Sequence, residues 1–199
     1  IMACESYNEI LKYLGRKAEY DTKPVKKKVY EKFFNKETGL FRTTPESSVY
    51  HELTQALAIL SGCIDRDPLS SKLMDKNNGL VKTTLSTSVY KYDALLLGDN
   101  KYLDFVTDDI AETWGKMIYS GAGTLWETAV GADDFAKAGS LCHGWSAVPV
   151  YILYRYHIGF YPVSPGFKTY NLKSCKSRIG NINAALYMPG NSFNIKTEM

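Results

Sequence analysis

Glu127 stands beside Trp126 in the glycine-rich run Gly121-Ala122-Gly123-Thr124-Leu125-Trp126-Glu127-Thr128. A carboxylate next to a large aromatic, on a loop that follows a long helical pattern, suits general acid–base chemistry. A second run, Gly139-Ser140-Leu141-Cys142-His143-Gly144-Trp145-Ser146-Ala147, adds His143 and Trp145. Asp133 and Asp134 lie between the two runs, Trp114 lies just before them, and all 3 tryptophans of the chain fall in this window. Sugars bind to aromatic faces flanked by carboxylates and imidazoles, so the inventory fits a carbohydrate site. Each residue also has a plainer reading. A Trp at a helix end more often fills a core, an isolated Glu is usually solvated, and a His before Gly more often braces a loop.

The elements that must position these residues read mainly as α. Tyr7, Ile10, Leu11 and Leu14 keep the spacing of an amphipathic helix, which Gly15 stops. A second helix starts near Pro24, with the stripe Val25, Val29, Tyr30, Phe33 and Phe34, and residues 35–39 read as a polar turn. A third follows Pro45-Glu46-Ser47-Ser48, carries Tyr50, Leu53, Leu57 and Leu60, and ends at Gly62. Further helices are predicted over 69–74, 86–97, 102–119 and 145–156. Residues 121–144 break the periodicity, and a long irregular stretch inside a compact domain is usually functional. After Gly159 the residues 167–172 and 184–188 alternate as strands, Pro189-Gly190-Asn191 signals a turn, and Phe193 and Ile195 alternate beyond it. The expected architecture is a set of helical hairpins followed by a short β-rich tail.

Composition narrows the function classes. The chain has 199 residues, 45% hydrophobic and 23% charged, and a net charge of +3. That length buries a core without disulfides or metals. The basic residues gather at Lys23, Lys26, Lys27 and Lys28, which read as a solvated helix face and not as a nucleic-acid surface. Cys4, Cys63, Cys142 and Cys175 form no CxxC pair and no zinc spacing; they lean toward a reducing compartment. No apolar run approaches the roughly 20 residues of a membrane span. Ile1-Met2-Ala3-Cys4-Glu5 does not read as a secretory leader, and the opening on Ile reads as the start of a fragment. Cytoplasmic and secreted locations both stay open.

The ordered set Trp114-Gly115-Lys116-Met117-Ile118, the Trp126-Glu127 run, the Gly139–Ala147 run, Tyr154-Arg155-Tyr156, Gly159 and Pro162-Val163-Ser164-Pro165-Gly166-Phe167 resembles the C-terminal catalytic-domain signature of bacterial α-L-rhamnosidases. These are glycoside hydrolase family 78, of the six-hairpin glycosidase superfamily. Weaker similarity reaches back through Tyr92-Asp93-Ala94-Leu95-Leu96 and His51. The resemblance implies residues 1–160 as part of an (α/α)6 toroid, here incomplete, and 161–199 as the start of a β-sandwich. It implies hydrolysis of terminal α-L-rhamnosides with inversion and no organic cofactor; metal binding stays open, though nothing in the chain encodes it. Glu127 matches the family's general base and His143 a histidine of the rhamnose subsite. Trp126 and Trp145 lie in matching motifs and would shape the pocket or pack behind it. For Trp114 and His51 a structural role is equally open.

The chain departs from the family in two places. It has no Asp-Glu-Arg-like motif for the general acid; Asp65-Arg66-Asp67 is the nearest string and has the wrong context. Gly123 stands where the family commonly has Thr, which gives the loop more backbone freedom. Acid catalysis is worth about 10²–10⁴-fold, so the piece alone is expected to be inactive. The expected partners are a rhamnose-containing glycoside and either the missing N-terminal half or another copy of the chain, with no nucleic acid and no membrane. The competing expectation is a non-catalytic sugar-binding or structural module derived from such an enzyme.

Overall fold

Gly15 ends the first helix, α1 (Met2–Tyr13), by taking a left-handed φ of 69°. The Arg16 N–H then closes back onto the Leu11 carbonyl at 2.8 Å, which occupies an acceptor the helix end leaves open. The predicted apolar stripe forms, but its burial does not: Leu11 is buried while Ile10 and Leu14 are 56% and 63% exposed. Helix α2 (Lys23–Phe33) carries Pro24 in its first turn, as the sequence indicates. It is tied to α1 through Glu5, which accepts from the Thr22 hydroxyl and pairs with Lys26.

Residues 35–39 do more than turn. They close a small antiparallel hairpin of β1 (Phe34–Asn35) and β2 (Leu40–Phe41), in which Phe34 pairs with Phe41. Helix α3 (Glu52–Leu60) follows, then α4 (Asp67–Met74) and α5 (Ser88–Leu95), with α3 packed on α5. The buried face of α3 differs from the expected leucine stripe. It consists of Glu52, Gln55, Ala56, Ala58 and Ile59, while Leu57 is exposed. Polar partners explain the difference. Gln55 takes the Phe41 N–H on its Oε1 at 2.7 Å and donates to the Phe41 carbonyl at 2.8 Å, completing the free edge of β2. The Glu52 carboxylate is 1% exposed and sits 3.2 Å from the ammonium groups of both Lys82 and Lys91.

The computed structural model describes residues 1–175, 178–188 and 191–197. It divides into two compact units, Ile1–Leu97 and Gly98–Met199. The elements above make up the first. The second opens with the long helix α6 (Leu103–Tyr119), which buries Leu103, Val106, Trp114 and Met117. The predicted helix over 145–156 is three consecutive turns of different pitch: a 3₁₀ turn at Gly144–Ala147, α8 at Val148–Ile152 and a π turn at Leu153–His157. Pro149, which has no N–H to donate, sits in the first turn of α8.

The tail is two hairpins: β3 (Phe160–Pro162) with β4 (Tyr170–Leu172), and β5 (Ile182–Met188) with β6 (Asn191–Thr197). Within the second unit the Tyr154 hydroxyl donates to the Ala185 carbonyl at 3.1 Å. The turn expected at Pro189-Gly190 lies outside the described residues, as does the Phe193 side chain. The described chain is mainly helical with small strand hairpins. No described helix is long and apolar enough to cross a membrane.

Candidate active site

Residues 121–143 carry little regular structure, as their glycines suggest, but their backbone is held. The segment around Trp126-Glu127 lies beside the segment 140–143 in a two-rung ladder. The Glu127 N–H donates to the Ser140 carbonyl at 2.8 Å, and the His143 N–H donates to the Leu125 carbonyl at 2.8 Å. The Thr124 hydroxyl adds a bond to the Leu141 carbonyl. The two carbonyls of the Trp126-Glu127 pair are held from the 3₁₀ turn that follows. Trp145 Nε1–H donates to the Glu127 carbonyl at 3.0 Å, and the Ser146 hydroxyl donates to the Trp126 carbonyl.

The excursion between the two segments folds back through close backbone contacts. Gly131 has φ of 76°, and a Cβ built there would lie 2.6 Å from Cε3 of the Trp126 indole. A Cβ on Gly139 would lie 2.0 Å from the Gly131 carbonyl oxygen. Trp126, Gly131 and Gly139 are thus stacked with no room for a side chain. Between the glycines runs the single turn α7 (Asp134–Lys137), in which Phe135, Ala136 and Lys137 have φ of 49°, 56° and 72°. Left-handed backbone at residues other than glycine is costly and uncommon. Asp134 contributes locally, its carbonyl accepting from the Gly139 N–H at 3.0 Å.

Glu127 itself is half-buried. Its Oε2 accepts the Ser140 N–H at 3.1 Å. Among the described residues no cation pairs with it and no hydrogen bond reaches Oε1. The carboxylate is therefore oriented on one oxygen and available on the other. The His143 imidazole stacks on the Trp145 indole with centroids 3.6 Å apart and planes 15° from parallel. The Nδ1 of His143 is buried without a hydrogen-bond partner among the described residues.

The structure brings together four of the six residues singled out from sequence: Trp126, Glu127, His143 and Trp145. Trp114 stands behind them, 4% exposed, its Nε1–H donating to the Ser146 carbonyl at 2.8 Å. It braces the same 3₁₀ turn that holds the Trp126-Glu127 pair. His51 belongs to the first unit. It precedes α3 in extended conformation, bridges to Val81, and its carbonyl accepts from the Gln55 side chain at 3.2 Å.

Sequence reasoning passed over Ser140, Ser146, Gly131 and Gly139 as individual residues, although all but Gly131 lie in the quoted motif. It also passed over the buried Glu52. In that cluster the Thr83 N–H and hydroxyl join the two lysines on Glu52. Burial works to raise the Glu52 pKa, but Lys91, the Thr83 N–H and Lys82 outweigh it and hold the carboxyl below its ordinary range. Among the described residues no cluster of three or more His, Cys, Asp and Glu could hold a metal ion.

No protein-family model matches this sequence, and no curated protein matches it. Among solved structures the chain is similar to the crystal structure of a GH78 family rhamnosidase of Bacillus sp. GL1, with a TM-score of 0.75 and 20% sequence identity. The match covers 86% of this chain and 19% of that one, so this chain spans about a fifth of the length of the protein it resembles. At that identity the likeness speaks for the fold.

Proposed function

We propose that this chain is part of an inverting glycoside hydrolase acting on terminal α-L-rhamnosides, and that Glu127 is its general base. The observation that carries the reading is the state of the Glu127 carboxylate. It is half-buried, aligned by the Ser140 N–H on Oε2, and has no paired cation among the described residues. A base must hold its geometry and still keep a free lone pair for a proton. The open Oε1 supplies that lone pair. A water there would give up its proton to Oε1 as its oxygen attacks the anomeric carbon from the face opposite the leaving group.

The likeness to a rhamnosidase fold and the match of the Trp126-Glu127 and Cys142-His143-Gly144-Trp145 motifs support the choice of sugar. His143, stacked on the indole whose N–H holds the Glu127 carbonyl, is assigned to the sugar hydroxyls. The general acid belongs to a part of the protein outside these 199 residues. It should face Glu127 across about 6.5–9.5 Å, the gap that admits a water in inverting enzymes.

The test is the stereochemistry of turnover by the full-length protein. With an aryl α-L-rhamnoside, proton NMR should show β-L-rhamnose as the first-formed sugar. First-formed α-L-rhamnose would exclude Glu127 as the base of a single displacement. Absence of turnover together with calorimetric binding of rhamnose would instead favour a sugar-binding module.

A further inference from the structure

We infer that Trp145 is a positioning residue for Glu127 rather than a sugar platform, an inference that rests on the proposed rhamnosidase reading. A platform indole offers its face to the sugar ring. Here the His143 imidazole already covers one face of Trp145, 3.6 Å away between centroids. The polar edge of the indole is occupied too, since Nε1–H donates to the Glu127 carbonyl at 3.0 Å. Trp145 therefore touches both residues that the proposed reaction needs, His143 through its face and the Glu127 main chain through its N–H. Ser146, the next residue, holds the preceding carbonyl, that of Trp126. Together the two side chains fix the peptide planes on either side of the Glu127 Cα. The direction in which the carboxylate leaves the backbone follows from those planes.

Displacing a catalytic group by about 1 Å can cost on the order of 10²-fold in rate. Loss of an interaction that acts in the transition state lowers kcat and leaves substrate binding in place. These two facts separate positioning from platform. In the full-length protein, Trp145→Phe keeps a ring against His143 and removes the Nε1–H. The expected result is a kcat lower by roughly 10–10²-fold, with KM and the calorimetric affinity for rhamnose within about twofold of wild type. Ser146→Ala, which removes the hook on the Trp126 carbonyl, should lower kcat in the same way, and it decides the matter if circular dichroism shows Trp145→Phe to be unfolded.

An unchanged kcat in the folded variants overturns the inference. So does a KM and rhamnose affinity weakened about tenfold at unchanged kcat, the signature of lost uniform binding. A wild-type protein that hydrolyses no α-L-rhamnoside overturns the proposed function and this inference together. An active wild type with an undisturbed Trp145→Phe variant overturns this inference alone.

Discussion

Ser140 grips Glu127 twice through its main chain: its carbonyl accepts the Glu127 N–H at 2.8 Å, and its own N–H donates to the Glu127 carboxylate at 3.1 Å. The two contacts tie the backbone and the side chain of one residue to the same neighbour. Both partners on Ser140 are backbone groups, so ordinary side-chain replacement there leaves them in place. The Ser140 hydroxyl serves its own segment, donating to the Cys142 carbonyl at 3.1 Å. The carboxylate is thereby held by the fold of the loop, and the loop depends on its glycines.

Gly131 should be intolerant of any side chain. A Cβ there would meet the Trp126 ring at 2.6 Å, and the residue has φ of 76°. Overpacking costs about 1–3 kcal/mol, and the left-handed backbone adds about 1–2 kcal/mol for an L-residue. Gly131→Ala is expected to abolish activity of the full-length protein and to lower the thermal midpoint. A variant with wild-type midpoint and turnover would show that Trp126 can move without consequence.

Gly123 should behave in the opposite way. A Cβ there meets nothing within 4 Å, and its φ lies outside the left-handed region. Restricting the unfolded chain at such a site stabilises by about 0.4–1 kcal/mol. Gly123→Thr is expected to leave activity intact and to raise the midpoint slightly in a thermal melt. A loss of either would mean that this departure from the family pattern is needed.

The Glu52 cluster predicts acid sensitivity of the first unit. Its folded pKa lies below the ordinary range, so the unfolded state takes up the proton first as the pH falls. The stabilisation is present above about pH 4.3, the unfolded value, and is lost as the pH drops through the depressed folded value. Glu52→Gln removes the carboxylate charge that pairs with the buried Lys91. Breaking such a pair costs about 3–5 kcal/mol. Denaturant melts at neutral pH should show that loss, and the variant should lack the wild type's fall in stability below pH ~4.3. Parallel pH profiles for the two proteins would contradict the account.

His157 predicts a second, higher pH window in the second unit. Its ring is buried, with Nε2 3.2 Å from the Thr107 hydroxyl. Burial lowers its pKa, and the opposing pull of Asp104 does not cancel the effect. The neutral form is favoured in the fold, so stability is present above about pH 6.5 and declines as the pH falls from there through the folded value. His157→Gln should flatten that decline in melts taken across the window. An unaltered slope would remove His157 as its source.

Much of the candidate site was visible in the sequence because it is made of rare residue types. A window with every tryptophan, a Glu and a His among glycines is legible without coordinates, and the break in periodicity at residue 121 marks the irregular loop. Ser140 was not legible, because it acts through its peptide group, which every residue but proline possesses. Gly131 and Gly139 carry no signal of which ring or carbonyl they admit. In α3 the periodic leucines drew attention from Glu52 and Gln55, whose burial depends on Lys91 and on the edge of β2, both distant along the chain. The exposed face of α1 has the same origin: periodicity marks an apolar stripe but not what covers it.

The most direct measurement is turnover of an aryl α-L-rhamnoside by the full-length protein carrying Glu127→Gln. The amide keeps the shape of the side chain and an acceptor for the Ser140 N–H, but it cannot take a proton from water. The account predicts a kcat lower by about 10²–10⁴-fold, with rhamnose affinity and thermal midpoint unchanged. Turnover within about twofold of wild type, where base catalysis should contribute at least about 10²-fold, would contradict it.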